Sequence, residues 1–286
     1  MPDLHGDANL RSGRTWRGKS WRARVEELKG KIGWVTGAGS GIGEAAALAL
    51  ARVGMRVVLT GRRSAPLQRV AERVRAEGGT AEVAAADLSK SSRVEAIAAR
   101  IREAHGRLDV LVNNAGTNIP ERSWRELRPE GIDTLIAANL TSALYVVRAV
   151  LPMMRAQQDG VLIHTASWAG RFVGPVSGPA YIAAKHGMVA MSHSINLEEC
   201  TNGIRSCVIC PGEVATPIMA FRSPPEPPEA LARMIQPEDM GRLVAFVAKQ
   251  PRHVCINEVL ISPTHNRGYI GAMKARQATS AAARAS

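Results

Sequence analysis

The chain has 286 residues, 45% of them hydrophobic, and carries 37 Lys+Arg against 25 Asp+Glu for a formal net charge of +12. That content suffices for one large core or two small ones, and no secretory signal or membrane-spanning run is expected. The basic balance brings nucleic acid and anionic surfaces into consideration, but a solvated surface explains it as well; neither nucleic acid nor membrane is expected as a partner.

Residues 1 to about 28 are polar and weakly periodic. Arg11, Arg14, Arg17, Lys19, Arg22 and Arg24 stand there against Asp3 and Asp7, and the segment 1–28 reads as a flexible basic arm. From Lys31 strands and helices alternate. Ile32 to Thr36 forms a short apolar strand, and Gly41 to Val53 an Ala/Leu helix. Between them runs Thr36-Gly37-Ala38-Gly39-Ser40-Gly41-Ile42-Gly43, a glycine-rich turn opening a helix. The free N–H groups of such a helix start suit the pyrophosphate of a dinucleotide.

Arg56 to Thr60 is the second strand, followed by a charged helix through Gly78. An NAD site commonly places a carboxylate at the end of that strand, for the ribose hydroxyls. Here Thr60-Gly61-Arg62-Arg63 offers two guanidiniums, which match a 2′-phosphate. NADP(H) is therefore favoured over NAD(H), the alternative being that Arg62 and Arg63 are solvated loop charges. Ala81 to Ala86 and Leu108 to Asn113 are further strands around a helix near Arg93 to His105. One long helix is expected over about Ile132 to Gln157, then a strand from Gly160 to Ala166.

The helix Tyr181 to Asn202 carries Tyr181 and Lys185 at i and i+4, on one face and roughly 6 Å apart at Cβ. A free phenol has a pKa of about 10, so acid/base work near neutrality calls for lowering by roughly 2–3 pH units, about 3–4 kcal/mol. Lys185 is the expected source of that charge, with an oxidised nicotinamide adding more. Ser167, just beyond a strand, could hold a substrate oxygen. His164 and His186 read as structural, and no spacing suggests a metal. Trp168 either faces substrate or packs in the wall.

Ile204 to Cys210 and a strand near Ile256 to Ile261 close the sheet, with a helix near Glu238 to Lys249 between them. Cys207 and Cys210 sit three apart on a strand, hence on opposite faces, and cannot jointly grip a metal. With four cysteines and no sign of export, a reducing cytoplasm is expected. Ser223-Pro224-Pro225-Glu226-Pro227-Pro228 cannot be regular structure, and is either a substrate lid with a stiff stem or a passive surface loop. Residues 269–286 read as a flexible Ala/Arg/Ser tail, leaving 29–268 as the catalytic domain. The strand–helix alternation implies an α/β fold with a mostly parallel sheet covered on both faces.

Taken in order, these motifs make the chain resemble the short-chain dehydrogenase/reductase family over roughly Lys31 to Thr264. To the glycine turn and Tyr181-x-x-x-Lys185 are added Asp87-Leu88, Asn113-Asn114-Ala115-Gly116, Asn139, Ser167, and Pro211-Gly212 with Thr216 five residues after the proline. The resemblance implies a single Rossmann-type doubly wound parallel sheet. It implies Tyr181 as acid/base, Ser167 orienting the carbonyl or alkoxide oxygen, and Lys185 lowering the tyrosine pKa and holding the nicotinamide ribose. Asn139 would anchor a water of a proton relay. The cofactor would meet Gly37, Ser40, Gly41, Ile42 and Gly43 at its pyrophosphate, and Arg62 and Arg63 at its 2′-phosphate. Asp87 and Leu88 would lie at its adenine, and Asn114, Ala115 and Gly116 at the adenosine-side ribose. Pro211, Gly212, Val214 and Thr216 would lie on the nicotinamide side.

The implied activity is reversible hydride transfer between NADP(H) and a carbonyl or secondary alcohol. Candidate pocket residues Thr117, Trp168, Phe172, Val173, Met219 and Phe221 suggest a mostly apolar cavity. A sugar-nucleotide epimerase would need a longer C-terminal domain. A non-catalytic cofactor-sensing regulator would not need Asn139, Ser167, Tyr181 and Lys185 together. Helices that are apolar or small on nearly every face, around Ala137 to Val147 and Tyr181 to Ile195, predict a second apolar surface. The resemblance implies dimers or tetramers packed through these two helices, and a homo-oligomer, foremost a homotetramer, is expected.

Overall fold

A computed structural model describes residues 28–221 and 225–285. The strands are β1 Ile32–Thr36, β2 Arg56–Thr60, β3 Thr80–Val83, β4 Val110–Asn113, β5 Gly160–Thr165, β6 Ile204–Pro211 and β7 Glu258–Ile261. They form one parallel sheet in the order β3-β2-β1-β4-β5-β6-β7. The helices are α1 Gly41–Arg52, α2 Ser64–Ala76, α3 Ser91–His105, α4 Pro129–Ile136, α5 Ser142–Gln157, α6 Pro179–Glu199, α7 Pro228–Ala232, α8 Pro237–Ala248 and α9 Arg267–Ala285. The expected doubly wound α/β architecture is the one found.

Alternation along each strand sends successive side chains to two cores. Val35, Leu59, Val112, Ile163 and Ile209 face α1, α2 and α8. Trp34, Val58, Leu111, Leu162 and Val208 face α3, α5 and α6. Cys207 enters the first core and Cys210 the second, on opposite faces as strand geometry requires. The chain reverses direction of winding between β1 and β4, and a crevice opens beyond the carboxyl ends of neighbouring strands at such a switch point.

Three expectations are corrected. Leu28, placed in the arm, is buried in the first core, so the folded unit includes it; the rest of the arm, 1–27, lies outside the described residues. The helix expected over 132–157 is two helices, α4 and α5, joined by a π-helical turn, Ala137–Thr141. The tail expected to be flexible forms α9; its alanines are strong helix formers and need no core face to adopt that conformation. In the proline-rich stretch, residues 222–224 lie outside the described residues, and α7 begins at Pro228.

The run Pro129–Gln157 is long and apolar enough to cross a membrane by length and composition, although no spanning segment was expected. In the fold Val146, Val147, Val150 and Met154 of α5 are buried against the sheet. A helix buried on one face and apolar on the other passes the same hydropathy test.

Candidate active site

The crevice is built from the ends of β1 and β4. The Thr36 hydroxyl, at the end of β1, accepts the backbone N–H groups of Asn114 (2.9 Å) and Ala115 (3.0 Å) and donates to the Val112 carbonyl (3.3 Å). Asn114 Nδ2 donates to the Thr36 carbonyl at 3.2 Å. The two loops at the switch point are thus stapled by one threonine, to which the sequence reading assigned no role. Its only signal was a polar residue closing an apolar strand.

Glycine is required where the turn folds back on α1. A Cβ on Gly43 would lie 2.2 Å from the Gly37 carbonyl oxygen, and Gly41 has φ +56° with Thr216 Cγ2 3.0 Å from its missing Cβ. Gly37 through Gly43, Asn114, Ala115 and Thr216 are thereby gathered at one crevice. Ser40 precedes α1 in an extended conformation and makes no side-chain cap bond, and Ile42 packs partly on the first core. A close-packed backbone cradle at a helix start fits a dinucleotide pyrophosphate.

Arg62 and Arg63 lie exposed beyond β2. Asp87 accepts the Ser89 N–H at 3.0 Å, which holds its carboxyl below the usual range, with Arg62 contributing a smaller pull. Leu88 and Val214 send their side chains into the cores, so only their backbones are available to a cofactor. Gly212 donates its N–H to the Ile261 carbonyl at 2.7 Å, which anchors the Pro211-Gly212 corner to β7.

The chemistry-bearing side chains converge from separate elements. Tyr181 lies in the first turn of α6, after Pro179 at the helix start. Ser167 follows β5 with an extended backbone, its hydroxyl accepts the Ala169 N–H at 3.1 Å, and it lies near enough to the Tyr181 phenol to act on its pKa. Lys185 is buried one turn further along, donates to the Thr165 carbonyl at 2.9 Å, and has its ammonium 5.6 Å from the Tyr181 ring centroid. Asn139 sits in the π-helical turn. It donates to the carbonyls of Thr117 and Leu135, each at 2.9 Å, and accepts the Thr117 N–H at 3.2 Å. Gly116 closes the group: a Cβ there would lie 2.6 Å from Asn139 Oδ1 and 3.5 Å from Lys185 Nζ.

The electrostatics differ from the sequence expectation. Burial pushes the Tyr181 phenol above its ordinary value, and the Ser167 hydroxyl and the Arg122 guanidinium pull it partly back. The Lys185 ammonium, 5.6 Å from the ring centroid, donates to the Thr165 carbonyl at 2.9 Å. Burial brings Lys185 itself down to about 8. Arg122 has no motif signal; it reaches the site because its guanidinium donates to the carbonyls of Ile119 (2.8 Å) and Val176 (3.2 Å) and joins two loops there.

His186 bonds the Ile182 carbonyl within its own helix, and His164 is fully buried in β5. Among the described residues, no group of three His, Cys, Asp or Glu side chains is placed to hold a metal ion. Trp168 stacks with Phe172, and Phe172 and Val173 are exposed. The Phe221 side chain lies outside the described residues.

The profile of the family described as short chain dehydrogenase matches residues 31–227. An uncharacterized oxidoreductase of Staphylococcus aureus (strain MRSA252) is 33% identical over 236 residues, covering 82% of this chain and 98% of that protein. Among solved structures, a metagenomic short-chain oxidoreductase in complex with NADP is 37% identical with a TM-score of 0.72, over 83% of this chain and 98% of that one. An alcohol dehydrogenase from the archaeon Thermococcus sibiricus, complexed with 5-hydroxy-NADP, is 27% identical with a TM-score of 0.74, over the same shares. With most of its length matched by that profile and 82–83% of the chain aligned with such oxidoreductases, the chain belongs to the short-chain dehydrogenase family.

Proposed function

We propose that the protein is an NAD(P)-dependent oxidoreductase acting on a carbonyl or secondary alcohol, with Tyr181 as the acid/base and NADPH favoured as cofactor. The observation that carries this reading is the convergence of Ser167, Tyr181, Lys185, Asn139 and Gly116 at the carboxyl end of the sheet, with the Lys185 ammonium 5.6 Å from the Tyr181 ring centroid. The bound nicotinamide would supply or accept the hydride. Ser167 then orients the substrate oxygen, and Tyr181 donates its proton to that oxygen in the reducing direction. A phenol kept protonated by burial is suited to that donation at neutral pH. Lys185 and Asn139 hold the floor of the site, and Lys185 would meet the nicotinamide ribose.

Support for NADPH comes from the two arginines beyond β2, where no carboxylate stands, and from the NADP complex of a similar oxidoreductase. The four cysteines are free thiols, in keeping with a cytoplasmic setting. The outward faces of α5 and α6 expose Leu144 and Leu197, which suits assembly into a homo-oligomer. The test is cofactor depletion by the purified protein against ketones, aldehydes and alcohols, with NADPH and NADH in parallel, on the parent and on Tyr181→Phe. The parent is expected to turn over at least one class, and the variant to lose most of kcat while retaining cofactor affinity. Near-parental kcat in Tyr181→Phe would overturn the acid/base assignment.

A further inference from the structure

The family profile ends at residue 227, yet α9, which starts forty residues later, is tied to the mouth of the site. Its start is built, not incidental. The Asn266 side chain accepts the N–H groups of Gly268 (3.0 Å) and Tyr269 (3.3 Å), an N-cap that satisfies two donors of the first turn. The Arg267 guanidinium then reaches two carboxylates at once. It donates to Glu226 at 2.8 and 3.0 Å and to Glu213 through Nε at 2.9 Å, with a second bond from Nη2 to Glu213. Glu213 directly follows Gly212 at the end of β6, and Glu226 belongs to the proline-rich stretch. One planar cation therefore joins the nicotinamide-side corner, the loop beyond it and α9.

Two residues on, this anchoring sets the Tyr269 ring against Trp168, edge to face, with centroids 5.7 Å apart. Trp168 in turn lies 4.7 Å from Phe172, and it immediately follows Ser167, the residue that holds the substrate oxygen in the reading above. Three of the eleven aromatic residues in the chain thus meet at the residue that follows Ser167. Phe172 and Tyr269 are 46% and 59% exposed. Open ring faces in that position offer a flat apolar surface that a planar substituent would cover.

We propose that Tyr269, held over Trp168 by Arg267, is a specificity-determining residue that selects carbonyl compounds and alcohols bearing an aryl substituent next to the reacting carbon. Arg267 is its positioning residue. The proposal rests on the carbonyl/alcohol activity given above, and its test keeps the two separable.

The experiment compares acetophenone with 2-butanone, with NADPH and with NADH, on the full-length parent, Tyr269→Ala, Arg267→Gln and the double variant. Tyr269→Ala should lower the ratio of kcat/KM for the aryl over the alkyl ketone by about tenfold, mostly through KM. Arg267→Gln should lower the same ratio, and should lower it no further once Tyr269 is gone. An unchanged ratio in Tyr269→Ala overturns the specificity role. An Arg267→Gln effect of equal size in both backgrounds overturns the positioning role, since a merely structural residue would act regardless of Tyr269. Quenching of tryptophan fluorescence by 2-acetylnaphthalene reads the aromatic wall without turnover. If the parent reduces neither ketone, the carbonyl reading of the site falls, and a several-fold weaker Kd in Tyr269→Ala still supports the wall, whereas an equal Kd removes it.

Discussion

Two positions show how differently a single side chain depends on its surroundings. Arg62 and Arg63 are exposed, and the role proposed for them rests on residue type and place after β2. Replacing both by alanine should weaken NADPH binding about ten- to a hundredfold, at roughly 1.5–3 kcal/mol for a charge-assisted contact, and weaken NADH binding far less. Fluorescence titration of the two cofactors checks this, and a parent that prefers NADH would refute the assignment. His164 is the opposite case. It is fully buried, neither ring nitrogen has a hydrogen-bond partner among the described residues, and burial brings its pKa down to about 3. The unfolded chain takes up a proton near 6.5 while the folded protein refuses it until about 3. Stability is therefore fully present above 6.5 and is lost as the pH falls toward 3, at up to about 1.4 kcal/mol per pH unit from this group. His164→Leu should flatten that acid limb, so the unfolding free energy of the variant should gain on the parent between pH 6.5 and 4. Urea unfolding across that window measures it; a difference independent of pH would contradict it.

At the scale of elements, the site depends on the π-helical turn between α4 and α5. One extra residue in the turn lets Asn139 face inward, where it is held by Thr117 and Leu135. The apolar periodicity on either side reads as one helix because an i to i+5 turn leaves no period of its own. Gly116→Ala should push directly on Asn139 Oδ1. An overpacking cost of about 1–3 kcal/mol is expected, with a lowered Tm and at least a tenfold loss of kcat from displaced Asn139 and Lys185. Thermal melts and turnover at parental levels would show that the loop accommodates the methyl group. The strands, by contrast, stand where alternation and glycine punctuation put them, since a fully buried parallel sheet leaves a strong apolar signature.

For the molecule as a whole, the outward faces of α5 and α6 expose Leu144 and Leu197, the latter at 82%, among polar residues such as Arg148 and Glu198. Light scattering is expected to give a multiple of the 30.6 kDa chain mass, and a version beginning at Glu27 should assemble equally well. A stable monomer at micromolar concentration would refute the oligomer, and dissociation on trimming alone would give the arm a structural role. The sequence by itself determined the winding of the sheet, the glycine turn and the order of Ser167, Tyr181 and Lys185, because each is written in local spacing. Only the tertiary structure decided what those groups feel. Burial raised the phenol that local charge was expected to lower, and Lys185 turned to the Thr165 carbonyl. Arg122 and Tyr269 entered from segments with no motif, and Thr36, inside the glycine motif, took a stapling role that the motif does not spell out. Desolvation and long-range contact depend on which distant elements close over a residue, and that is a property of the packed fold alone.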